Sequence, residues 1–401
     1  FGDHRLFGNF GWSQIGNAFD GVRMTHSTQK ADVDLFWARI VDPTAVAAGA
    51  AGQPAILFPG ASTTATQASN TQDIYGLYVT LKPVKNWTIE PYFFLLQDAR
   101  ATQTNGLAAS TATGLGATTT AFSSILTAQA QAQTRHFLGG RVNGKAGGLD
   151  FTYEGNYQFG SIASQCQRSK TAAACGTLAG QGGLAVPLGS VSGDRGAHIN
   201  AHQHALKTGY TFDAVPMKPR LGFEFNYASG DKCANAASPV NGCENGKAHF
   251  NTADNLYPTN HFHMGYMDLM SWKNMVNYQV MFDVKPSPVS KLQFNYIMHR
   301  LANTADNWYR AGQVAYFTSK VGNQAASLGQ ELDVHYWHTF KEKFKFEVGV
   351  GHFFAGEYLS KSTSADILGF ANTQGSASNG FGGATQIVDQ NWGYVMGSIL
   401  F

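Results

Sequence analysis

Apolar and polar side chains alternate for about ten residues at a time, in segment after segment, and this pattern most limits what the chain can fold into. Between Lys218 and Tyr227, Leu221, Phe223, Phe225 and Tyr227 alternate with Arg220, Gly222, Glu224 and Asn226. Phe344, Phe346, Val348 and Val350 alternate with Lys343, Lys345, Glu347 and Gly349. Leu149, Phe151, Tyr153 and Tyr157 alternate with Asp150, Thr152, Glu154 and Asn156, and Trp87, Ile89, Phe93 and Leu95 stand against Thr88 and Glu90. A helix would scatter these residues around its circumference, whereas a strand puts every apolar one on a single face.

Alternation alone does not name the solvent on the apolar face, because a soluble sandwich alternates too. Composition narrows the choice. Only 13% of the 401 residues are charged, against 43% hydrophobic and 13% aromatic. A soluble domain carries about 25% charged residues, and a chain with this many aromatics is not disordered. No stretch approaches the roughly 18 uninterrupted apolar residues of a spanning helix, and the mean hydropathy is −0.20. A net charge of +2 gives no reason to expect nucleic acid. These observations favour an all-β transmembrane barrel.

Connection lengths support that reading. Tight links near 27–29, 83–85, 145–147, 214–217, 286–289 and 341–342 alternate with long polar links at 42–70, 98–133, 161–197, 230–271, 301–328 and 355–389. An up-and-down outer-membrane barrel is built this way, with short periplasmic turns and long extracellular loops. About fourteen strands are expected, near 3–10, 17–26, 30–41, 71–82, 86–97, 134–144, 148–160, 198–213, 218–229, 272–285, 290–300, 329–340, 343–354 and 390–401. Strands of one type throughout make residues 1–401 a single barrel domain. The closing segment puts Val395 and Ile399 on one face and ends in Phe401, like the C-terminal signal of outer-membrane proteins. The long links 42–70 and 98–133 are of low complexity and read as mobile or folded into the lumen. Cys166 with Cys175, and Cys233 with Cys243, lie within two of the long links among small polar residues. They read as local disulfides in an oxidising compartment rather than zinc ligands.

Three blocks resemble a known family. Phe1-Gly-Asp-His-Arg-Leu-Phe-Gly8, followed by Trp12 and Phe19-Asp-Gly-Val-Arg23, is similar to the start of the alginate-export barrels. Leu256-Tyr-Pro-Thr-Asn-His261 with Gly265-Tyr-Met-Asp268 resembles a loop motif of that family. Gly329-Gln-Glu-Leu-Asp333 and Gly351-His-Phe-Phe-Ala-Gly356 resemble its penultimate hairpin. The resemblance implies a Gram-negative outer-membrane channel for an anionic polysaccharide. It also implies up to eighteen strands, and so an N-terminus that is incomplete here.

A channel works through its lumen charges. The alternation turns Arg135, Arg141, Arg220, Lys345, Glu224 and Glu347 inward, either to line a passage or to pair across the wall as stiffening ladders. Lys82, Lys85, Lys145, Lys218, Arg220, Lys285, Lys291, Lys341, Lys343 and Lys345 gather at the tight-turn end, with few acids beside them. They form a cationic mouth for polyanions, or are simply common turn residues. Arg5 and Arg23 are expected nearest a constriction, where a planar guanidinium can bind carboxylates. Asp20 and Asp333 would hold such arginines in place, or form purely structural pairs with them. His198, His202, His204, His249, His261 and His263 read as exposed histidines rather than metal ligands.

No catalytic motif, nucleotide loop or haem-attachment sequence occurs, so neither an enzyme nor a resident cofactor is expected. The leading expectation is passive passage of an anionic or other hydrophilic solute through the outer membrane. The alternative is a plugged, scaffolding barrel whose loops bind periplasmic or surface protein partners, or which sleeves an electron-transfer protein.

Overall fold

The computed structural model describes residues 1–9, 16–41, 71–98, 133–162, 197–232, 249–311, 315–317, 325–341, 343–361 and 389–399. Thirteen strands form one sheet: β1 (Asp20–Ser27), β2 (Ala31–Val41), β3 (Gln72–Val84), β4 (Trp87–Asp98), β5 (Gln133–Ala146), β6 (Leu149–Ile162), β7 (Ala197–Thr211), β8 (Arg220–Ala228), β9 (Met275–Ser287), β10 (Ser290–Leu301), β13 (Ser327–Phe340), β14 (Phe344–Ala355) and β15 (Gln390–Ile399). β11 (Trp308–Tyr309) and β12 (Ala315–Phe317) make a separate two-stranded sheet, and α1 (Glu357–Ser360) is a single turn.

Every neighbour in the large sheet is the next of its strands in the chain, and the pairings are antiparallel throughout, as an up-and-down meander requires. The registers are long and regular. β5 and β6 pair continuously from Gln133↔Ile162 to Ala146↔Leu149. Turn chemistry fixes the tight end: Asn86, Gly147 and Lys341 adopt positive φ of 66°, 58° and 46° in three of the short links. Among the described residues no register joins β1 to β15.

The two faces separate by solvent. Outward stand Leu35, Leu77, Ile89, Phe93, Leu138, Leu221, Phe223, Phe282, Leu332, Val350, Val395 and Ile399, all exposed. Inward stand Glu90, Arg141, Glu154, Glu224, Gln279, Asp283, Glu331 and Asp333, all buried. An apolar exterior around a polar, covered interior inverts a soluble protein and fits a barrel in lipid.

One expected strand is absent from the sheet, and one expected outer link is not outside. Residues 1–9, read as strand 3–10, run along the inner face instead. There Phe7 bridges Tyr257 in parallel, and Gly8 N, Tyr257 N and Thr259 N donate to Tyr257 O, Leu6 O and His4 O at 2.9, 2.9 and 2.8 Å. The glycine is required: a Cβ on Gly8 would lie 2.1 Å from Thr259 Oγ1. The link 230–271 was expected to be extracellular. Its described part from residue 249 onward packs inside the sheet, with Thr252, Ala253, Asn255, Met264, Met270 and Trp272 at 2% exposure or less. The reason is compositional. Leu256, Tyr257, Met264, Tyr266, Leu269, Met270 and Trp272 carry too much apolar surface for a loop in water. Phe1, Phe7, Phe36, Tyr78, Phe94 and Tyr257 form the aromatic core between these segments and β2 to β4.

Val350 points outward near the middle of β14, opposite Val334 and Gly393. Val350→Arg should therefore destabilise the folded protein in lipid vesicles by about 2–4 kcal/mol, read from the urea midpoint of tryptophan fluorescence. An unchanged midpoint would mean that this face does not meet hydrocarbon.

Candidate functional site

The inner face of the sheet and the segments lying on it make up the candidate site. Its centre is Arg5. Its Nη2 donates to Glu224 Oε1 at 2.6 Å and its Nη1 to Asn226 Oδ1 at 2.8 Å, both on β8, with Arg5 2% and Glu224 0% exposed. Lys207 of β7 and His263 approach the same carboxylate at 3.2 and 3.5 Å. His263 Nε2 is 2.8 Å from Asp3 O, so one polar knot joins residues 1–9, the inner segment and the wall. Burial lowers the His263 pKa and the Arg5 cation adds to this, while the Glu224 carboxylate opposes it. Asp3 is bridged to Arg141 at 2.5 Å, and Arg141 also holds Glu90 at 2.5 Å. Burial works to raise the Asp3 carboxyl, but Arg141, His263 and Arg5 outweigh it and hold it below its ordinary value.

The other expected cations are also partnered. Arg23 binds Asp34 at 2.8 Å, not Asp20, and lies 5.2 Å over the Phe1 ring. Asp20 is exposed at the end of β1, opposite Arg39 in the register. Arg135 is fully buried and donates to Gln133, Gln158 and Thr252 O. Arg220 grips Asp150 through Nε at 2.8 Å and Nη2 at 2.6 Å, with Asp283 at 3.7 Å. Asp333 meets no arginine among the described residues. It accepts Tyr266 N at 3.4 Å, while its neighbour Glu331 accepts Met267 N at 2.9 Å. Glu347 accepts the Tyr394 hydroxyl.

The lysine cluster divides in two. Lys82 pairs with Asp32 at 2.5 Å and Lys291 with Asp283 at 3.5 Å, so the tight-turn end carries more acid than its sequence suggested. Lys85, Lys145, Lys218, Lys285, Lys341, Lys343 and Lys345 are exposed, and none has an ion-pair partner among the described residues.

His198, His202 and His204 stand on the outward face of β7, where His204 Nδ1 and the Tyr153 hydroxyl are 2.8 Å apart. Among the described residues no group of three or more His, Cys, Asp or Glu is placed to hold a metal. Cys166, Cys175, Cys233 and Cys243 lie outside the described residues. Sequence reasoning missed Asp3, Asp34, Asn226 and Tyr266, and it took His261 and His263 for exposed histidines, whereas both are buried on the inner segment. The apolar run Leu6-Phe7 and the aromatic content of 256–272 were the available signals that these stretches are covered.

A meander with an apolar exterior, a charged interior and covered inner segments defines an outer-membrane β-barrel channel. Residues 1–368 match the alginate export family, and the chain belongs to it. It is a Gram-negative outer-membrane protein. No relative is found among curated proteins. Among solved structures it is similar to OccK11 (OpdR) of Pseudomonas aeruginosa, with TM-score 0.45 and 12% identity over 99% of this chain and 74% of that one. OccK5 (OpdH) of the same organism gives 0.43 and 10% over 96% and 71%, and its outer membrane protein OprD 0.44 and 8% over 97% and 71%.

Removing the Arg5 guanidinium orphans a buried carboxylate. Arg5→Ala should cost about 3 kcal/mol, seen as a lower urea midpoint, and should expose residues 256–272 to protease in detergent. Arg5→Met combined with Glu224→Met should be milder than Arg5→Ala, because no buried charge is left unpaired. Equal losses would mean that the ion pair is not what holds the inner segments.

Proposed function

We propose that this chain is a passive, non-enzymatic conduit carrying a hydrophilic, preferentially anionic solute across the outer membrane, with its tight turns facing the periplasm. The observation that carries the reading is the set of exposed lysines at the tight-turn end without an ion-pair partner among the described residues, set below an interior in which several charges are matched in pairs. A field from unpaired charge at the rim of a low-dielectric cleft concentrates counter-ions before entry. The paired interior of Arg23–Asp34, Lys82–Asp32, Arg220–Asp150 and Lys291–Asp283 then offers polar contacts without a deep electrostatic trap. Passage follows the solute gradient, and upstream supply sets its direction. The implied partners are outer-membrane lipid and the solute, an acidic polysaccharide in the family's eponymous case.

A second reading rests on a different observation: residues 1–9 and 249–274 occupy the inner face along much of the sheet. If they fill the lumen, the protein is a plugged scaffold whose loops serve a periplasmic or surface partner. Planar-bilayer recordings separate the two. The conduit reading expects steady single-channel conductance with anion selectivity, and closure of folded, inserted protein favours the scaffold. Replacing Lys341, Lys343 and Lys345 by Gln should move the reversal potential toward zero in a salt gradient while leaving conductance at high salt within about twofold, since screening shortens the reach of these charges. An unmoved potential would remove the cationic-mouth assignment.

A further inference from the structure

Among the charged pairs of the inner wall, one strip is built differently. On β13, β14 and β15 the inward positions carry rings: Trp337 and His335 on β13, Tyr394 and Trp392 on β15, with Gly349 and Gly351 between them on β14. The registers place Trp337 beside Glu347, His335 and Tyr394 on either side of Gly349, and Trp392 beside Gly351. The rings therefore climb the wall from the tight-turn end in steps of two residues, about 6.6 Å each along a strand. Neighbouring centroids are close: Trp337 to His335 5.4 Å, His335 to Tyr394 5.8 Å, and Tyr394 to Trp392 4.9 Å.

The glycines make this possible. A Cβ on Gly349 would sit 2.4 Å from Tyr394 Cε1 and 2.5 Å from His335 Nδ1. Without one, both rings lie down across the strand. His335 is backed by Tyr266 of the inner segment at 3.6 Å between centroids and is fully buried, whereas Trp337 and Trp392 remain half-buried. The border of the strip is polar. Lys291 lies 5.2 Å over Trp337 and is matched by Asp283, Glu347 takes the Tyr394 hydroxyl, and Gln293 stands opposite His335.

Half-buried indole faces beside hydrogen-bonding groups suit a ligand with an apolar face and a polar edge. A pyranose has this form, since its axial C–H bonds stack on a ring while its hydroxyls meet the border. Two residues of strand also advance by a distance comparable to one sugar unit, so successive rings can meet successive units. We propose that Trp337 and Trp392 are the stacking faces of an oligosaccharide track that selects a pyranose surface rather than a charge. This rests on the conduit reading above, and it names what the interior recognises once the mouth has been passed.

The test uses the full chain in planar bilayers, with a neutral maltohexaose and an oligouronate of the same length as probes. Both should interrupt the current, with dwell times within about threefold of each other. Trp337→Ala and Trp392→Ala should each shorten those dwell times by about fivefold or more with open-channel conductance retained, whereas Trp392→Phe, which keeps a ring, should restore most of the loss. Block by the oligouronate alone, or dwell times unmoved by the alanine substitutions, overturns the track. Conductance without any sugar block overturns it too and leaves the conduit standing. If the wild-type channel does not conduct, the conduit reading fails. The strip is then decided in detergent, by whether maltohexaose changes tryptophan fluorescence and whether the double variant Trp337→Phe, Trp392→Phe abolishes that change; no change in the wild-type protein, or a change that survives the double variant, overturns the track.

Discussion

Backbone hydrogen bonding without water is the constraint on which the rest of this structure depends. In hydrocarbon an unpaired N–H or C=O costs several kcal/mol, so a chain that crosses with strands must pair each one with a neighbour. The meander of consecutive strands does this with local partners and short turns. Period two follows, because a sheet with lipid on one side must send its apolar residues out and its polar residues in. The low charge content follows as well, since half of every strand faces a medium that excludes ions.

Sending polar residues inward moves the difficulty to the lumen. Buried carboxylates such as Glu224, Glu331 and Asp333 are costly unless something donates to them. Part of the answer comes from the wall, in cross-strand pairs such as Arg220 with Asp150. The rest comes from chain segments that are not strands at all. Arg5, His263, and the backbone N–H groups of Tyr266 and Met267 all approach wall carboxylates. These segments also bury an aromatic core with β2 to β4, so the interior has apolar contacts as well as polar ones.

The strands were legible because alternation is a local signal: β8 can be read from Leu221 to Tyr227 without knowing what lies beside it. The inner segments were not, because their fate depends on contacts across long stretches of chain. Arg5 and Glu224 are 219 residues apart, and no local pattern announces their pairing. Arg5 was legible as an inward cation of consequence but not as an anchor, since the same guanidinium fork suits a solute carboxylate and a wall carboxylate equally. Arg23 found Asp34 rather than Asp20 for a geometric reason. Arg23 faces Phe36 in the β1–β2 register, one inward step from Asp34, whereas Asp20 sits at the far end of its own strand. The lysine cluster was legible by position, but its local neutralisation by Asp32 and Asp283 needed the strand pairings.

Pairing of interior charges has a consequence for selectivity. A cation with an acid 2.5–3.5 Å away presents a dipole to the lumen, and a dipole's field falls off faster than that of a lone charge. Under the proposed conduit, long-range attraction comes from unmatched charge such as the exposed lysines of the tight-turn end, which have no ion-pair partner among the described residues. In the proposed conduit, discrimination deeper in would pass to contacts that act only at touching distance: hydrogen bonds from the paired groups, and the faces of rings that glycine allows to lie against the wall. Such an interior would hold a solute weakly and at many points, which is the condition for a passage that must release what it admits.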